Sequence, residues 1–198
     1  DITRILGHDS WLAMPRHAVR QKGSVRGVDD ASATGSGANT AAAPSEKLEL
    51  PTTDANVGAL RLLRQRLGDT PVAGWVLNEK SAYRQIPVRP AHRRYSVVVM
   101  WDPATRRTAR FVLIGHAFGL VAAVYNYNRR SAILNEWLAA MGLLAFHYYA
   151  DKFGWTRQDL VEDDALLVAT LHRVLGIAFS AEKAHHGPVV TVLGIDSG

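Results

Sequence analysis

Apolar positions recur at helical spacing in three stretches of the chain. From Asp54 to Leu67, Val57, Leu60, Leu63 and Leu67 predict a helix, and Gly68 follows as its stop. Val121 to Met141 is mostly apolar and predicts a second, longer helix; Gln158 to Leu175 is amphipathic with an acidic first half and predicts a third. Between these lie β-rich runs. RYSVVVMW (94–101) and RFVLI (110–114) flank DPATRR, whose turn chemistry makes them a hairpin. A strand begins at Gly74 to Leu77 and turns out over Glu79 to Ile86, and LAFHYYADKF (144–153) reads as strand, turn, strand. Ile177 to Phe179 and Val189 to Ile195 read as short closing strands. PRHAVRQKGSVRGVDD (15–30) predicts an extended hairpin, and ASATGSGANTAAAPS (31–45) a loop or mobile connector. No internal repeat is present. The order predicts an α+β layout with helices on one face of an antiparallel sheet.

Composition narrows the classes. With 198 residues, 47% of them hydrophobic, the chain suits one domain or a domain with a subdomain. Lys+Arg 23 against Asp+Glu 18 gives +5, which fits an anionic partner such as nucleic acid. The absence of cysteine excludes a disulfide framework and any thiolate metal site, and agrees with an intracellular setting, cytoplasmic or nuclear. No run reaches the roughly 18 apolar residues of a membrane span, so no membrane partner is expected. The start, DITRILGHDSW, lacks a signal-peptide core and a Met, and reads as a fragment or processed product. His147, His185 and His186 have no cysteine or spaced carboxylate to complete a metal site, so none is expected there.

Five segments carry candidate chemistry. They are WVLNEKSAYRQIPV (75–88), GHAFGLVAAVYNYN (115–128), HYYADKFG (147–154), LGIAFSAEKAHHGPVVTVLGI (175–195) and the basic hairpin around Lys22, Ser24 and Arg26. In this order and spacing they resemble the fingers and palm of reverse transcriptases, RNA-directed DNA polymerases, and most nearly those of retrotransposon-like elements of the kind abundant in dinoflagellate algae. The resemblance runs from about Pro15 to Asp196. It implies a right-hand polymerase palm, a ferredoxin- or RRM-like antiparallel sheet backed by helices, with a partial fingers subdomain. Residues 1–73, including the loop 31–45, would be the fingers portion. Residues 74–198 would be the palm, with a fingers hairpin at 94–114 inserted and no thumb.

The resemblance also implies roles. Asn78 stands where the family has an Asp that binds both catalytic Mg²⁺ ions, and Tyr83 where an aromatic packs under the sugar of the incoming deoxynucleotide. Phe118 and Gly119 form the turn before a helix whose N-terminus lies beneath the base pair. The Tyr-x-Asp-Asp hairpin admits two registers here. With Tyr148 leading, Ala150 and Asp151 hold the two Asp positions; with Tyr149 leading, Asp151 and Lys152 do. The first leaves Phe153 to return into the sheet. Lys183 matches a lysine that faces the triphosphate and can protonate the leaving pyrophosphate. Arg26 and Lys22 match basic residues that grip the triphosphate, although Ser24 replaces a frequent third. The implied partners are an RNA or DNA template–primer and a deoxynucleotide, and the implied cofactor is Mg²⁺.

Nucleotide transfer needs two metal ions about 4 Å apart, held by hard anionic oxygens. Asn78 offers a neutral oxygen and Ala150 nothing, so Asp151 alone would remain as catalytic and metal-binding carboxylate. Glu79 adjoins Asn78, but on a strand it points to the other face. The expectation is a domain of template-directed synthesis by descent whose catalysis is impaired. The alternative is a non-catalytic nucleic-acid-binding or scaffold module.

Overall fold

The computed structural model describes residues 1–21, 23–34 and 37–198. Its elements run α1 (Ile2–Leu6), β1 (Ala13–Gln21), β2 (Ser24–Asp29), α2 (Thr53–Leu67), β3 (Val72–Asn78), β4 (Val97–Asp102) and β5 (Arg107–Val112). They continue with α3 (Val121–Ala140), β6 (Ala145–Tyr148), β7 (Asp151–Arg157), α4 (Val161–Val174), β8 (His185–Gly187), β9 (Val190–Val192) and β10 (Ile195–Ser197). The fold is α+β. The chain divides into two compact units, residues 1–47 with 83–127 and residues 48–82 with 128–198. No described helix is long and apolar enough to cross a membrane.

In the first unit the sheet order is β2-β1-β4-β5. The expected hairpins form: Arg16 pairs with Asp29 in one, Val97 with Val112 in the other. The expectation of a wholly antiparallel layout fails here, because β1 and β4 run parallel from Ala13↔Val97 to Pro15↔Val99. Some seventy residues separate these strands, ample length for a parallel return, whereas a tight turn would force the antiparallel arrangement. One sheet face buries Met14 and Val98 against Ala31, Ala38, Ala117, Leu120 and Ala123. Small side chains let the 31–45 loop approach the sheet closely. That loop is therefore anchored at Ala31 and Ala38 and contains a 3-10 turn, Ala38–Ala41.

In the second unit the sheet is antiparallel, in the order β6-β7-β3-β8. β3 (VAGWVLN) is buried along almost its whole length, so both its faces need cover. Ala73, Trp75 and Leu77 pack on Leu138 of α3 and on Val161 and Val168 of α4. Val72 and Val76, with Phe153 and Trp155, pack on Leu60 of α2 and on Val190 and Val192. Helices thus lie on both faces, where the sequence pattern predicted one. Two tryptophans face glycines on the neighbouring strand. A Cβ at Gly74 would meet the Trp155 ring, and one at Gly154 the Trp75 ring. Truncating a buried tryptophan of this kind costs about 3–5 kcal/mol. α2 starts at Thr52, whose hydroxyl accepts from Ala55 N at 3.2 Å, and stops at Gly68 with φ 59°. It is tied to the sheet by a buried hydrogen bond from Trp155 Nε1 to Asn56 Oδ1, 2.7 Å.

The C-terminal segment differs from its predicted strands. Of Ile177 to Phe179 only Phe179 pairs, in a single bridge to Glu79. The run Val189 to Ile195 splits into β9 and β10 around Leu193 and Gly194, both at positive φ, and β8 precedes them. Strands of three residues are too short to register as an alternation.

Candidate functional site

The end of β3 and the start of β7 meet in register: Asn78 pairs with Asp151, which also pairs with Tyr148 of β6. Tyr149 and Ala150 form the turn between β6 and β7. Ala150 O accepts from Glu79 N at 2.7 Å, which locks the turn to the exit of β3. On the other side Ser180 N donates to Asn78 O at 2.8 Å, and the 3-10 turn Ala181–Lys183 carries Lys183 back over the strand end. The side chains then form a short chain. Lys183 Nζ donates to Asn78 Oδ1 at 3.2 Å, and Asn78 Nδ2 donates to Asp151 Oδ1. Asn78 and Asp151 are half-buried and Lys183 is exposed. Ser81 (φ 59°), Ala82 (φ 26°) and Tyr149 (φ 48°) are non-glycine residues with left-handed backbone beside this chain. Each such residue costs roughly 1–2 kcal/mol. Strain of this kind gathers at functional sites, where the surrounding structure holds it in place.

The opposite face of the same strands is different. Glu79 is 2% exposed and paired with Arg130 of α3. Lys152, 1% exposed, donates from Nζ to Asn135 Oδ1 at 2.9 Å, while Asn135 Nδ2 donates to His147 Nδ1 at 2.8 Å. Burial pushes the Lys152 ammonium down to about 8; Glu79 opposes that shift and Arg130 adds to it. Burial, reinforced by Lys152, holds His147 down at about 4, and His172 on α4 is lowered to about 4 for the same first cause. The position of Glu79 follows from strand alternation, and by the same parity Lys152 points into this buried network, away from Asn78, while Asp151 faces Asn78. Both hairpin registers keep Asp151 beside Asn78.

Tyr83, Phe118 and Gly119 come together in the first unit. The Tyr83 ring centroid lies 5.0 Å from that of Phe118 and 5.0 Å from that of Tyr127. The Arg84 guanidinium sits 5.8 Å from the Phe118 centroid and reaches Asp29 Oδ2 at 3.0 Å. Arg16 holds the same carboxylate in a fork, at 2.6 and 3.1 Å. Gly119 is required: its φ is 96°, and any Cβ would strike the Asp29 carbonyl oxygen. Asn39 caps α3 from a distance, accepting from Val121 N at 2.8 Å. Arg26 is not part of this group. It pairs with Val19 on the exposed β1–β2 ribbon and points to the side opposite Asp29. Lys22 lies outside the described residues. The cluster around Asp29 was missed by the sequence reading, although Arg16 and Asp29 share the face of Met14 in a simple alternation.

The donor set beside Asn78 does not fit a pair of Mg²⁺ ions. Its fixed charges are one carboxylate and one ammonium, which cancel. One oxygen of that carboxylate already accepts from an amide, and the amide oxygen faces an ammonium. Among the described residues no group of three or more His, Asp or Glu side chains is arranged to hold a metal. No family model matches this chain, and no curated protein is significantly similar to it. The exposed Lys183 ammonium beside Asn78 suits an anionic oxygen better than a divalent cation.

Proposed function

We propose that the chain is a reverse-transcriptase-like fingers and palm that holds nucleic acid without transferring nucleotides. One observation carries this reading. The two positions at which the resemblance puts carboxylates on adjacent strands, Asn78 and Asp151, are cross-strand partners at one end of the antiparallel sheet. Only one of them is acidic, and Lys183 closes on the other. Phosphoryl transfer is catalysed almost wholly by positioning and by neutralising charge on the phosphate oxygens. A site with a single carboxylate and no place for two divalent ions lacks that neutralising power.

Binding is supported by the +5 balance and by exposed cations such as Arg26 and Lys183. Contacts of this type release counterions, so affinity falls steeply with salt and is indifferent to sequence. The test is a fluorescence-anisotropy titration with a labelled template–primer duplex at about 50 and about 200 mM salt. A large loss of affinity between the two, equal for unrelated sequences, is expected. No binding at the lower salt would remove the nucleic-acid reading.

A further inference from the structure

A cavity of about 560 Å³ opens within the first unit, and none of Asn78, Asp151 and Lys183 lines it. Its floor is a short antiparallel pairing: Val88 N donates to Ile114 O at 2.7 Å and His116 N to Ile86 O at 3.0 Å. Gly115 lies between them because a Cβ there would strike the Arg84 carbonyl. One wall is the first part of α3, with Leu120, Ala122 and Asn126. The other is the 3-10 helix Pro90–Tyr95, which presents His92 and Tyr95 from the same face, three residues apart.

The lining is chemically asymmetric. Ile86, Val88 and Leu120 are apolar lining, and the Tyr95 ring is held by its neighbour Arg94. Arg94 Nη2 donates to its hydroxyl at 2.6 Å, and the Arg94 guanidinium lies 4.8 Å from its centroid. His116 and Asn126 stand side by side, Nε2 to Nδ2 3.5 Å, and form a polar edge. Burial lowers the pKa of His116, so near neutral pH it presents an uncharged imidazole with both donor and acceptor capacity. At the mouth Arg89 and His92 are exposed, and no described lining residue is acidic. A volume of this size is in the range of small-molecule sites, which span roughly 300–1,000 Å³.

We propose that this cavity binds a mononucleotide unit. The base lies among Tyr95, Ile86 and Leu120 with its hydrogen-bonding edge toward Asn126 and His116, and the phosphate meets Arg89 and His92 at the mouth. Aromatic side chains stack on any base, and a guanidinium matches phosphate oxygens in a fork. The unit is either a free nucleotide or the 5′-phosphorylated end of a single strand. The two share this chemistry. The inference uses none of Asn78, Ala150, Asp151 and Lys183, so it stands apart from the question of catalysis.

The test is calorimetric titration of the full chain with AMP, adenosine, inorganic phosphate and a short 5′-phosphorylated oligodeoxynucleotide. AMP is expected to bind saturably and more tightly than adenosine or phosphate. Ala122 is exposed on α3 and lines the cavity, so Ala122→Trp should fill the space and weaken AMP binding about tenfold or more without lowering the melting temperature. Arg89→Ala should weaken AMP several-fold and leave adenosine unchanged. If Ala122→Trp proves unfolded, Arg89→Ala and Asn126→Ala carry the test, each with a several-fold loss expected. Whichever of AMP and the oligonucleotide binds more tightly identifies the source of the unit. Absence of AMP and oligonucleotide binding, or binding that ignores all these changes in folded variants, overturns the proposal.

Discussion

Replacing Lys152 by Met removes an ammonium that the fold holds in an unfavourable place. The side chain is 1% exposed, and its pKa falls from 10.5 to about 8 because burial disfavours the charged form. The sign follows from proton counts. Between about 8 and 10.5 the unfolded chain binds the proton and the folded chain does not, so stability rises with pH through that window. A shift of this size corresponds to about 3 kcal/mol, at roughly 1.4 kcal/mol per pKa unit. That stability is absent near neutral pH and nearly all recovered by about pH 10.5. Lys152→Met also strips Asn135 Oδ1 of its donor, at a cost of about 1–3 kcal/mol, but this offset does not depend on pH in the alkaline range. The assay is urea denaturation of both chains at several pH values from about 7 to about 10.5. The stability of the parent minus that of Lys152→Met should rise by about 3 kcal/mol across the range. A difference flat to within about half a kcal/mol would show that Lys152 is solvated in the folded chain, and the buried network with Asn135 and His147 would be wrong.

Other consequences can be checked in parallel. Asn56→Ala leaves the buried Trp155 indole N–H without its acceptor and should destabilise by about 1–3 kcal/mol in the same urea assay, whereas Asn56→Asp, which keeps an acceptor oxygen, should differ in size. Gly119→Ala should lower the melting temperature markedly, because the residue has positive φ and its new Cβ would strike the Asp29 carbonyl; a neutral result would refute that close approach. Asn78→Asp with Ala150→Asp should bind Mn²⁺ more tightly by calorimetry than the parent and more tightly than Asn78→Asp with Lys152→Asp, since position 152 faces the buried side and adds no ligand beyond the carboxylate pair at positions 78 and 151 that both variants share.

The sequence disclosed the longer elements because each had a full period to read. α2, α3 and α4 were legible from apolar spacing, and the hairpins β4–β5 and β6–β7 from turn residues between β-rich runs. The proximity of Asn78 to Asp151 followed from placing one at the end of a strand and the other just past a hairpin turn. The parallel pairing of β1 with β4 was not legible, since nothing local encodes which distant strand a chain end joins. The polar face holding Glu79, Lys152, Asn135 and His147 was hidden for another reason. Each residue is unremarkable by itself, and only the alternation of three strands against α3 brings them together. The cavity walls likewise come from segments far apart in the chain.

The central claim is tested most directly by primer extension. The unmodified chain is incubated with a template–primer, the four deoxynucleotides and either Mg²⁺ or Mn²⁺, and products are resolved by length. With Asn78 neutral, Ala150 without a ligand and Lys183 closed on Asn78, no extension beyond the background of a denatured control is expected with either ion. Robust extension by the unmodified chain, abolished by Asp151→Ala, would contradict the account and show that the catalytic ligands lie elsewhere.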